Sequence, residues 1–109
     1  MAYDAAMRFV HEVVVRLRPG HDTRAIGGAV TQALCGHWDH EGPCRWPHRT
    51  EATPLADGSL VARVSFECEP ADEAEVRRSI AGAARRGWLD GPEGRSEWIV
   101  EREGAAAPT

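Results

Sequence analysis

The chain has 109 residues, 42% apolar, 28% charged and 6% aromatic, which is the profile of one compact domain without room for a second core or a large enclosed cofactor. A formal charge of −4 excludes the concentrated positive field that nucleic acid or an anionic membrane surface requires. All thirteen basic residues are Arg, with no Lys and no Asn, a bias that follows GC-rich coding, so no Arg run is read as functional by itself.

Residues 8–18 alternate, with Phe9, His11, Val13, Val15 and Leu17 on one face and Val10, Glu12, Val14, Arg16 and Arg18 on the other, which predicts a strand. Pro19-Gly20 stops it, and His21-Asp22-Thr23 supplies a cap for a helix whose stripe is Ile26, Ala29, Val30, Ala33 and Leu34, ending at Gly36. Gly27-Gly28 inside that helix predicts close approach of its backbone to the sheet. After a polar loop, 45–55 reads as a second strand, joined through Ala56-Asp57-Gly58-Ser59 to a third at 60–69. In the third, Leu60, Ala62, Val64, Phe66 and Cys68 share one face. Pro70-Ala71-Asp72 opens a second helix that turns Val76, Ile80, Ala83 and Ala84 inward and closes at Gly87, with Arg77, Arg78, Arg85 and Arg86 expected on its solvated face. The Asp90-Gly91-Pro92 turn leads to a last strand at 96–102.

The order strand, helix, strand, strand, helix, strand matches the ferredoxin-like βαββαβ pattern, an α+β fold with a four-stranded antiparallel sheet and two helices on one face. The expectation is one domain over 1–103 and a disordered tail over 104–109. Phe9 to Leu17 is interrupted by His11, Glu12 and Arg16, so it is neither a signal-peptide core nor a membrane span, and a cytoplasmic location is expected. Three Cys without a secretory signal favour metal or redox chemistry over a disulfide framework. A Cys35–Cys44 disulfide remains the alternative in an oxidising compartment.

Cys35, His37, His40, Cys44 and His48 fall within fourteen residues. Thiolate and imidazole together suit Zn²⁺, with Fe, Cu or Ni as alternatives, and Gly36 and Gly42-Pro43 supply the bends to wrap an ion. Cys44-Arg45-Trp46-Pro47-His48 has the C-x₃-H form of some metal signatures and Cys35-Gly36-His37 a C-x-H form, but no complete signature is present. In the expected topology the start of strand one, this loop and the end of strand three meet at one sheet edge, which adds His11 and Cys68 as reserve ligands. The leading expectation is therefore a small metal-binding protein, the metal serving structure, metal handling or catalysis. Two alternatives stay open. One is a homodimeric α/β barrel, closed through the open sheet face, that binds or turns over a small molecule, with His11 or His48 as general base and the four Trp lining its pocket. The other is an interaction module without chemistry. No phosphate loop, H-E-x-x-H helix or legible Ser/His/Asp arrangement is present.

Overall fold

The Val13-Val14-Val15 run and its alternating flanks form the strand β1 (Met7–Leu17), in a computed structural model that describes residues 6–36 and 45–108. Helix α1 (Ala25–Cys35) follows, then β2 (His48–Pro54) and β3 (Leu60–Cys68). A 3-10 turn at Pro70–Asp72 leads into α2 (Glu73–Arg86), and β4 (Trp88–Gly91) and β5 (Gly94–Ala106) complete the chain. The strands make one five-stranded antiparallel sheet in the order β2-β3-β1-β5-β4.

This is not the four-stranded ferredoxin-like sheet that the element order suggests. Asp90-Gly91, read above as part of a turn, instead ends a short strand, Trp88-Leu89-Asp90-Gly91, that pairs back on β5 from Trp88↔Glu97 to Gly91↔Gly94. Four residues ending in Gly are too short for an alternation signal, yet Leu89 is buried in the core and fixes the hairpin. The last strand is also longer than 96–102. It runs from Gly94 to Ala106, and Gly104–Ala106, placed above in a tail, pair with Glu12, His11 and Val10.

Both helices pack on one face of the sheet. Ile26, Ala29, Val30 and Leu34 of α1 and Val76, Ile80 and Ala84 of α2 share one core with Val13, Val15, Ala62, Val64, Phe66 and Trp98. α1 faces β2 at Gly27, where an added Cβ would stand 3.5 Å from that of Thr50, an ordinary van der Waals contact, so the packing there does not require the glycine. Both helices end on left-handed glycines, Gly36 and Gly87. At Gly87, φ is +78° and a Cβ would stand 3.0 Å from the Trp98 carbonyl oxygen, so the turn into β4 admits glycine alone without distortion. The opposite sheet face carries the ion pairs Arg63–Glu12, Arg16–Glu101 and Arg18–Glu97. No helix among the described residues is long and apolar enough to cross a membrane.

One irregularity matters for the chemistry. Val15 pairs with Val100 but Val14 with Arg102, so Glu101 is an extra residue in β5. Beyond this bulge the alternation is reset, and Glu103 lies on the helix-covered side with Ser96, Trp98 and Val100.

Candidate functional site

His48 opens β2, and Cys35 closes α1 one helical turn beyond Thr31. The i, i+4 spacing of Thr31 and Cys35 puts both on the α1 face that meets His48. The Thr31 hydroxyl lies 2.8 Å from Nε2 of His48, and Nδ1 lies 3.0 Å from the Trp46 carbonyl oxygen and 3.9 Å from Sγ of Cys35. A carbonyl only accepts, so Nδ1–H donates to Trp46, and Nε2 accepts from Thr31. Cys35 is disulfide-bonded, with its partner outside the described residues. A disulfide sulfur is not a thiolate, and in this state it is not a metal ligand. Trp46 is buried and closes the core beside this junction, with Arg45 stacked on its ring at 4.4 Å.

His37, His40 and Cys44 lie outside the described residues. The remaining candidates, His11 and Cys68, are on the apolar face as expected but do not come together. Cys68 is opposite Met7 and His11 opposite Val64, a separation of four register positions, or roughly 13 Å along the strands at about 3.4 Å per residue. Cys68 is a free, buried thiol. Burial pushes its pKa up, and the nearby carboxylates of Asp72 and Glu73 push the same way, so it is held as an unreactive thiol. Among the described residues, no group of three or more His, Cys, Asp or Glu is placed to hold a metal ion.

His11 belongs to a different arrangement. Its Nδ1 is 3.0 Å from a guanidinium nitrogen of Arg77, which only donates, so Nδ1 accepts and the proton sits on Nε2, which donates to Glu103. Arg77 also donates to the Val10 carbonyl at 2.9 Å and to Glu73 at 2.7 Å, and Glu103 accepts from Arg85 at 3.0 Å. Each nitrogen of the His11 ring is thus committed, which leaves no lone pair for a metal or for proton abstraction. Arg77, expected among solvated side chains, instead turns over the Phe66 ring toward the sheet. Glu103 was missed because the bulge that turns it inward has no sequence signature.

A cleft of about 900 Å³ opens between the Gly20–Ala25 turn and the β4–β5 hairpin. It contains none of the seven predicted ligands. Its Arg24 and Arg95 are paired with Asp22 and Asp90, and the carboxyls of Asp22 and Asp90 sit below the ordinary range because these guanidiniums hydrogen-bond them. His21 accepts the Glu97 N–H on Nδ1 at 2.8 Å, and Ser96 Oγ accepts the Asp22 N–H at 3.0 Å, so both brace the cleft walls. The described Trp residues do not line it. Trp46 and Trp98 are core, and Trp88 is stacked between Arg86 and Arg95 at 3.6 and 3.9 Å.

No family model, curated protein or solved structure matches the chain. The α1–β2 junction is therefore judged on its own chemistry.

Proposed function

We propose that the chain is a small transition-metal-binding protein, for Zn²⁺ first, whose centre is anchored by Cys35 and His48. The observation that carries this reading is the 3.9 Å between Cys35 Sγ and His48 Nδ1. Two ligands on one tetrahedral zinc, with bonds of about 2.3 Å to sulfur and about 2.0–2.1 Å to nitrogen, stand roughly 3.6 Å apart. To ligate, His48 would give up its Nδ1–H bond to Trp46, whose carbonyl oxygen holds the lone-pair direction of that nitrogen, so the ring would turn toward Cys35 and carry its proton on Nε2, where the Thr31 hydroxyl can accept it. Thr31 would then orient the ligating ring, as outer partners of metal-bound imidazoles do. The sequence nominates His37, His40 and Cys44, outside the described residues, for the remaining positions.

The test is elemental analysis of untagged protein purified under a reductant, with and without added Zn²⁺. About one ion per chain is expected, and His48→Ala lowers that occupancy sharply while Thr31→Val weakens affinity by roughly tenfold or more. Reduced protein that holds no Zn, Fe, Cu or Ni and takes up none on addition would overturn the reading.

A further inference from the structure

We infer that the outer edge of β2 is a self-association surface, where the β2 of a second copy of this chain adds antiparallel and joins the two sheets into one. The inference is independent of the metal-binding reading. β2 is the edge strand of the sheet, and among the described residues no strand pairs with its outer side. The Leu55 N–H donates to the Ser59 carbonyl at 2.8 Å and the Glu67 N–H to the Pro47 carbonyl at 3.0 Å, both on the line of the β2–β3 register. An antiparallel ladder bonds every second residue, so Arg49, Glu51 and Thr53 bond to β3. The N–H and C=O groups of His48, Thr50 and Ala52 therefore face outward. Pro54, which has no N–H, ends the run.

The side chains decide what fits this edge. Arg49 and Glu51 lie on the sheet face away from the helices, 80% and 61% exposed, and pair with each other at 3.4 Å. Two copies that meet about a two-fold axis at Thr50 match Thr50 with the partner's Thr50 and His48 with the partner's Ala52, each pair exchanging two N–H···O bonds. The same register sets Arg49 directly opposite the partner's Glu51, and Glu51 opposite the partner's Arg49, in the non-hydrogen-bonded pairs whose side chains stand closest. Four charges of alternating sign then surround the axis, a network rather than an isolated exposed pair. A slip of one residue puts outward groups against inward ones. A slip of two keeps the bonds but sets Arg49 against the partner's Arg49, or Glu51 against the partner's Glu51, which is unfavourable. Edges guarded against pairing carry a bulge, a mid-strand proline or charges that repel a second strand, whereas this edge is regular and its charges complement themselves. One strand pair covers less area than a standard stable interface, so the dimer is weak and forms at high protein concentration.

Sedimentation velocity on untagged full-length protein, from about 5 µM to about 1 mM, reads the association, with and without a chelator. Denaturing non-reducing electrophoresis identifies any disulfide-linked pair. The expected result is a non-covalent dimer that survives the chelator and whose fraction rises with concentration. Glu51→Arg and Arg49→Glu, both at exposed positions, each set like charges opposite one another and weaken association about tenfold or more. Mixing the two variants restores the dimer, and so does combining both changes in one chain, because each recovers opposite charges across the axis. Amide hydrogen exchange slows at His48, Thr50 and Ala52 as the dimer forms. A protein that stays monomeric throughout, whether its edge is bare or takes a strand of another protein, overturns the proposal. So does a dimer that both single variants retain, that the mixture fails to restore, or that forms only through a disulfide or a metal ion.

Discussion

Replacing Glu103 by Ala removes the carboxylate that joins His11 on β1 to Arg85 on α2. The His11 side chain is 6% exposed and that of Glu103 18%, so the Nε2–H of His11 is left without an acceptor and with little access to water. A hydrogen bond to a charged group contributes about 1.5–3 kcal/mol, and stranding a buried donor costs about 1–3 kcal/mol. These figures describe the same loss from two sides and do not add, so the expected destabilisation is about 2–3 kcal/mol. The Arg85 half contributes little, because its side chain is 68% exposed and exposed pairs contribute about 0–1 kcal/mol. In a domain of this length 1 kcal/mol corresponds to roughly 4 °C, so Tm falls by roughly 8–12 °C. Urea and thermal unfolding followed by circular dichroism measure both quantities. Glu103→Gln keeps a neutral acceptor and loses about half as much, while Arg85→Ala stays within about 0.5 kcal/mol of the parent. If Glu103→Ala were as mild as Arg85→Ala, the pairing of Glu103 with His11 would not be what holds the far half of β5 on β1.

Arg77→Met loses the bonds to Val10 and His11 and the pair with Glu73, for an expected cost of about 2 kcal/mol in urea unfolding, whereas exposed Arg78→Met leaves the midpoint unchanged. Gly87→Ala meets both a left-handed backbone and the Trp98 carbonyl. It costs about 1–2 kcal/mol or more, and a neutral result would show that this turn relaxes freely. Asp22, Asp57 and Asp90 sit below the ordinary aspartate range, through hydrogen bonds from Arg24, Ser59 and Arg95 respectively. Their folded pKa values lie below the unfolded ones, so their contribution is present above the ordinary range and is lost as pH falls through the folded values. Asp57→Asn should therefore flatten the acid limb of a stability–pH curve, and an unchanged limb would count against the Ser59 bond.

Alternation and helical spacing located β1, α1, β3 and α2 because each buries one regular face over nine residues or more. β4 escaped because four residues carry no period. Its place is set by Leu89 entering the core and by Trp88 lodging between two guanidiniums, both facts of tertiary packing. The face of β5 escaped for a different reason. Strict alternation from Trp98 through Val100 puts Arg102 toward the helices and Glu103 toward solvent, and a single extra residue reverses that assignment. The reversal is favoured because an inward Glu103 meets His11, Arg85 and, through His11, Arg77, whereas an inward Arg102 would set a third cation beside Arg77 and Arg85. The charges of the helix-covered side thus select the register of the strand. The same logic separates the two histidines that the sequence offered together as candidate general bases. His11, on a long strand, is enclosed by committed partners. His48, at a strand end beside the last turn of α1, has a neighbouring sulfur at 3.9 Å, and the proposed metal centre rests on that neighbour.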